Sequence, residues 1–296
     1  MRAATTASLE RVALAATDDP TVGVDAFGLW VENDFRDVAE VGSLVDVCVG
    51  NGVDDIDGTP VVERDDPSVG RAFAANVTRQ QDKINALFAP FGTGEIAVDG
   101  QSGSITGQRL CAARVALGLD ISTADMMPGS DEQATFLAAE TLPTPNSTGI
   151  ESERWILIDR TCQMMFIGAG RTIAYVFPTS TGSEGFETRL QDRAEVFRFN
   201  PAFENGGWHD SSEFPVGVDN PRNGNMYKPL YFDLGQAIHG ANNVPTSPDS
   251  KGCARLSVDD QNTLVTWLGL ADAQEETWRK PEMNVTVNVQ GEFTPR

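Results

Sequence analysis

The sequence predicts a multidomain α+β protein with a mainly helical N-terminal domain and a β-rich C-terminal domain. Two observations carry that prediction. Residues 141–149 read Thr-Leu-Pro-Thr-Pro-Asn-Ser-Thr-Gly, where hydrophobic periodicity stops and turn formers take over. Before this stretch apolar residues recur at helical spacing, and after it they come in short strand-like runs. A chain of 296 residues has room for two domains of roughly 100–200 residues each. The expected divisions are an unassigned acidic region at 1–65, a helical domain at 66–140, a linker at 141–152 and the β-rich domain at 153–296.

Residues 32–66 are rich in Asp and contain Asp54-Asp55-Ile56-Asp57-Gly58. Read as a calcium loop with Gly58 sixth, they put Val53 first and Arg64 twelfth, where Asp and Glu ligands are required. A solvated acidic loop is the better reading. Across 71–88, Phe73, Val77, Ile84, Leu87 and Phe88 follow a period near 3.6, and Pro90 ends the helix. A second helix is expected at 105–117 with Gly118 as its stop, and a third at 131–139. Beyond the linker, 155–159, 164–167 and 172–177 read as strands, the last two split by Gly168-Ala169-Gly170. Residues 226–232 and 283–289 also read as extended. One late helix is expected at 257–268, opened by Ser257-Val258-Asp259-Asp260.

The net charge of −21 excludes nucleic acid, which needs Lys and Arg clusters to displace counterions, and disfavours an anionic membrane surface. It fits solubility, a salty habitat, or attraction to a cationic partner or divalent ions. No apolar run approaches the ~18 residues of a membrane span. Residues 1–18 hold Arg2 but no apolar h-region, so they are no intact secretory signal. Either the chain is cytosolic or a leader or anchor has been removed. The cysteines Cys48, Cys111, Cys162 and Cys253 show no C-x-x-C spacing, and the only histidines are His209 and His239. No metal site or cofactor is expected from that set. If one cysteine is a catalytic thiol, Cys48 and Cys111 are a candidate disulfide in an exported protein.

The chemistry concentrates between Ala237 and Ser257. A cysteine nucleophile works as thiolate, whereas a free thiol with pKa of about 8.5 is mostly protonated at neutral pH. His239 can take the proton of Cys253, and Lys251 and Arg255 add positive potential. Gly252 permits tight backbone geometry, and the N–H groups of Lys251, Gly252 and Cys253 could face an oxyanion. Pro245 and Pro248 mark a loop, so two neighbouring strands would bring His239 and Cys253 together. Taken singly, a Cys is more often a small buried apolar residue, and a His a satisfied structural one. Their joint occurrence with Gly-Cys and flanking cations points to nucleophilic catalysis.

Ile238-His239-Gly240, a loop, then Ser250-Lys251-Gly252-Cys253-Ala254-Arg255 resembles the signature of the L,D-transpeptidase catalytic domain, or YkuD domain. Ile156-Leu157-Ile158-Asp159 with Gln163 resembles its opening strands. Ser180-Thr181-Gly182 with Phe186-Glu187-Thr188 resembles its Ser-Thr-Gly turn, and Met226 to Phe232 the strand leading to the His. The likeness spans 153–290. It departs at Lys251, where the family has a second His, and at Arg189, where it has Pro. Upstream, Val98-Asp99-Gly100, Gly103, Thr106, Leu110 and Arg114 resemble a peptidoglycan-binding helical domain.

The resemblance implies a mixed-sheet catalytic fold and a cysteine-dependent acyltransferase of cell wall biogenesis, exported to the cell wall or a periplasm-like space. It implies that Cys253 attacks a tetrapeptide donor stem, that His239 is base and then acid, and that the Gly240 carbonyl orients the His ring. Tyr227 or Tyr231 would serve the oxyanion, Ser250 and Arg255 the substrate, and a second stem would accept the acyl group in a 3→3 cross-link. It also implies acylation by carbapenem-type inhibitors. L,D-carboxypeptidase activity and a degenerate wall-binding scaffold are the alternatives.

Overall fold

The computed structural model describes residues 67–147, 153–209, 225–278 and 283–294. The acidic stretch at 32–66 and Cys48 lie outside the described residues. Four α-helices are present among those described: α1 (Pro67–Phe88), α2 (Ser104–Leu117), α3 (Asp131–Ala138) and α4 (Val258–Trp267). Their ends follow the sequence signals. Gly118 closes α2 in the left-handed region, at φ 69°, and returns its N–H to the Arg114 carbonyl. Ser130 and Ser257 cap α3 and α4 by accepting from the N–H groups of Gln133 and Asp260.

The chain divides into two compact units. Among the described residues, one comprises 67–80, 99–101 and 125–139. In it Gln80 bonds both the N–H and the carbonyl of Met126, at 2.9 and 3.0 Å. Asn76 also donates to that carbonyl and accepts from Gln133. These side chains are buried, so each polar atom needs such a partner. The Asp99 carboxylate accepts the Gln101 N–H at 2.9 Å, closing the Asp-Gly turn.

The second unit comprises Gln81–Val98, Ser102–Ala124 and Glu140–Arg296. Its strands are β1 (Arg154–Asp159), β2 (Met164–Ala169), β3 (Thr172–Pro178), β4 (Gln191–Glu195), β5 (Arg198–Phe199), β6 (Trp208–His209), β7 (Met226–Asp233), β8 (Gln236–Ala241), β9 (Ala254–Ser257), β10 (Thr277–Trp278) and β11 (Thr286–Gln290). They form two mixed sheets, ordered β3-β2-β1-β11-β4 and β10-β5-β7-β8-β9, with β6 added on β7. One apolar core joins them, with Ile156, Ile158 and Ile167 from the first sheet, Leu230, Ile238 and Leu256 from the second, and Leu264, Val265 and Leu268 from α4 and its end. Gly168 continues β2 rather than ending it: a Cβ there would lie 2.2 Å from the Trp155 ring.

The expected Cys48–Cys111 pairing is corrected. Cys111 of α2 forms a disulfide with Cys162 in the turn between β1 and β2. The partners fit because Gln108 and Arg109, one turn earlier on α2, already reach that turn: Gln108 donates to the Gln163 carbonyl at 2.7 Å and Arg109 approaches the Met164 sulfur at 3.1 Å.

Candidate active site

Strands β8 and β9 run parallel, with Ile238 beside Ala254 and His239 beside Arg255. Side chains alternate faces along a strand. Ile238, Ala254 and Leu256 therefore point into the core, where they are buried. His239 and Arg255 take the opposite face, and Cys253, just before β9, is two residues from Arg255. The Ala237 N–H bonds the Cys253 sulfur, which seats the thiol beside the strand carrying His239.

The His239 Nδ1 lies 2.9 Å from the Gly240 carbonyl. A carbonyl only accepts, so Nδ1 carries the proton and Nε2 is left basic. His239 is 5 % exposed. Desolvation lowers its pKa to about 4, aided by the nearby charge of Arg255 and opposed by the Gly240 bond. The half-buried Cys253 is also desolvated. That pushes its thiol up, while the Ala237 N–H and the Arg255 charge pull it down. Both shifts disfavour the charged forms, thiolate and imidazolium.

Arg255 is buried and ion-pairs with Asp249 at 3.0 Å. Lys251 is exposed, and the cation acting on the sulfur is Arg255. Gly252 has φ 109°, and a Cβ there would come 2.5 Å from the Gln236 amide nitrogen, so conformation and space both require glycine. The Gly252 N–H donates to Ser250 Oγ at 3.1 Å, and that hydroxyl donates to the Cys253 carbonyl at 2.6 Å. Ser250 therefore braces the loop from within, and Gly252 has committed its N–H.

Tyr227 and Tyr231 part company. Tyr227 donates its hydroxyl to Asn262 of α4 at 3.0 Å. Tyr231 pairs across to Ala237 and feels the charge of Cys253, so it is the tyrosine beside the thiol. The Arg198 guanidinium stacks 3.7 Å from the Tyr231 ring centre and ion-pairs with Glu276 at 2.9 Å. His209 meets the same ring edge-on. Desolvation raises the Tyr231 pKa against the opposing pull of Arg198, keeping the hydroxyl a donor. His209 and Glu276 also line a cleft of about 290 Å³, whose walls do not include Cys253.

Sequence reasoning missed Arg198, Gln236 and the framing role of the Ser180–Gly182 segment. That segment bridges to Arg255 and Ser250, and Thr188 donates to the Cys253 carbonyl and accepts from the Gly182 N–H. The signal available was the Ser-Thr-Gly…Thr pattern itself. Arg189 ion-pairs with Asp233 and donates its N–H to Gln236, a bond proline could not make. Among the described residues, the cluster with metal-ligand spacing is Cys111, Asp159 and Cys162, and its two cysteines are joined as the disulfide.

Residues 153–287 match the family model of the YkuD domain, the L,D-transpeptidase catalytic domain. The chain is also similar to an L,D-transpeptidase structure from Xylanimonas cellulosilytica, at 24 % identity and TM-score 0.38, over 74 % of this chain and 93 % of that one. A Stackebrandtia nassauensis L,D-transpeptidase shares 15 % identity at TM-score 0.41, over 73 % of this chain and 91 % of that one. For the Mycobacterium smegmatis L,D-transpeptidase the figures are 16 % and 0.33, over 47 % and 59 %. No curated protein matches the chain. No helix among the described residues is long and apolar enough to cross a membrane.

Proposed function

We propose that the protein is a peptidoglycan L,D-transpeptidase forming 3→3 cross-links through a Cys253 thioester. The observation that carries this reading is the parallel pairing of β8 and β9, which sets His239 beside Arg255, two residues after Cys253, with Nδ1 of the imidazole held at the Gly240 carbonyl. The Cys253 sulfur attacks the carbonyl of the third residue of a tetrapeptide stem as His239 Nε2 takes the thiol proton. The terminal D-Ala leaves with that proton on its amine, and the acyl group remains on sulfur. The side-chain amine of a second stem then attacks the thioester, gives its proton to His239 and restores the thiol. Because the Gly252 N–H is committed, we assign the oxyanion to the Cys253 N–H and the Tyr231 hydroxyl. Lys251 lies outside these steps, and Arg255 acts on the thiol's charge rather than on substrate.

This chemistry belongs in the cell wall or a periplasm-like space, and the helical region at 66–140 is proposed to bind peptidoglycan there. The test is incubation with purified muropeptides and product mass analysis. Wild type is expected to give a cross-linked dimer minus D-Ala, with Cys253→Ala inert and a carbapenem adduct on Cys253 alone. A hydrolysed tripeptide as sole product would make it an L,D-carboxypeptidase, and full activity in Cys253→Ala would remove the mechanism. Failure of the full chain to sediment with insoluble sacculi would remove the wall-binding assignment.

A further inference from the structure

We infer that Gln163 is a positioning residue for the nucleophile, anchored by the Cys111–Cys162 disulfide and acting through Thr181 and Ser250. The inference rests on Cys253 being the nucleophile.

Gln163 is fully buried and has φ 53°, a region rarely occupied by residues with a side chain. Something must hold it there. Its carbonyl accepts from the Thr179 N–H at 2.9 Å and from Gln108 of α2 at 2.7 Å. Its neighbour Cys162 is bonded covalently to the same helix and donates its N–H to Asp159 at 2.8 Å. The carboxamide then reaches Thr181 and the Arg160 carbonyl. Its Nε2 donates to Thr181 Oγ1 at 2.9 Å and to the Arg160 carbonyl at 2.6 Å, and its Oε1 accepts the Thr181 N–H at 2.8 Å.

Thr181 passes that constraint to the nucleophile loop. Its carbonyl accepts from both Asp249 and Ser250 N–H groups, at 3.0 and 3.1 Å. Ser250 holds the Cys253 carbonyl and the Gly252 N–H. Asp249 holds Arg255, the cation that acts on the sulfur. Release of Thr181 would therefore disturb both the backbone that aims Cys253 and the ion pair that sets its charge environment. A purely architectural Gln163 would change stability and leave the thiol's reactivity in the folded protein untouched.

The experiment uses the full chain as wild type, Gln163→Ala, Thr181→Val, Ser250→Ala, Gln163→Ala/Ser250→Ala and Cys111→Ser/Cys162→Ser. Iodoacetamide labelling of Cys253 is followed against pH by peptide mass mapping, beside melting temperature, kcat and KM. Misplacing a reacting group by about 1 Å can cost about a hundredfold. Gln163→Ala is accordingly expected to shift the labelling profile and lower kcat about tenfold or more, with KM within about twofold. The Gln163→Ala and Ser250→Ala effects on kcat should be less than additive, since both act through one loop. A lower melting temperature with an unchanged Cys253 profile and unchanged kcat overturns the inference. If Gln163→Ala does not fold, wild type with its disulfide reduced gives the same reading. A shifted profile supports the anchor, and an unchanged one after verified reduction overturns it. Labelling does not require turnover, so these outcomes remain distinct from survival of activity in Cys253→Ala, which refutes the nucleophile itself.

Discussion

Holding His239 neutral has a measurable cost in acid. Its folded pKa of about 4 lies below the ordinary 6.5 because desolvation penalises the imidazolium. In the unfolded chain the same side chain protonates near 6.5. Between those two values the unfolded state binds more protons, so stability falls as pH drops from above 6.5 towards 4. The gap between 6.5 and about 4 corresponds to about 3 kcal/mol. Urea unfolding of wild type and His239→Gln at pH 7 and pH 4 measures it. Wild type should lose about 3 kcal/mol more than the variant across that range. Because the chain has two histidines, proton NMR gives an independent reading: the imidazole signal absent from His239→Gln should titrate near 4. The acid limb of kcat/KM reports the free enzyme's base and should share that value. A His239 signal titrating at 6 or above, or parallel acid losses in wild type and variant, would refute the neutral-imidazole reasoning.

Three substitutions around Cys253 test the site further. Gly252→Ala can relieve its contact with Gln236 only by moving a side chain that bonds the Glu187 carbonyl, and its positive φ remains. It should cost about 1–3 kcal/mol in urea unfolding, with slower Cys253 labelling; wild-type values for both would show that the loop tolerates a Cβ. Arg255→Met breaks a buried pair whose partner Asp249 still reaches solvent, so the loss should be about 3 kcal/mol, the low end for such pairs, and the thiol pKa should rise. Lys251→Met should leave the labelling profile unchanged, and a rise there equal to that in Arg255→Met would return Lys251 to the site.

Much of the fold was legible because long amphipathic and apolar segments announce themselves. The helices expected at 71–88, 105–117 and 131–139 correspond to α1, α2 and α3, and the strands at 155–159, 164–167 and 172–177 to β1, β2 and β3. Strands β5, β6 and β10 span two residues each, too short to display any period. The disulfide was illegible because pairing depends on Cα atoms meeting within about 7 Å, and four cysteines spaced along a chain carry no such distance. In the sequence Gln163 stands out only as part of an opening-strand pattern. Nothing in a lone Gln indicates that its carboxamide meets Thr181 from 18 residues away.

The choice between Tyr227 and Tyr231 shows where sequence reasoning stops for a definite geometric reason. In a regular strand, residues four apart share a face, so both tyrosines would look equally suited to the thiol. Strand β7 is not regular. Tyr227 pairs with Gly240 and Leu230 with Ile238, so three steps on β7 match two on β8. One extra residue is a β-bulge, and Lys228, at φ 44°, lies within it. The bulge reverses the alternation. Tyr227 joins Leu230 and Ile238 on the face toward α4 and bonds Asn262, while Tyr231 turns to the face of Ala237 and His239. The same inserted residue thus separates a structural hydroxyl from the one beside the thiol, and it sends Lys228 to the same Asn262 at 2.9 Å. A deletion that restored the alternation would bring both tyrosines to one face and leave Asn262 without either partner, so the bulge belongs to the site as much as the tyrosine it aims.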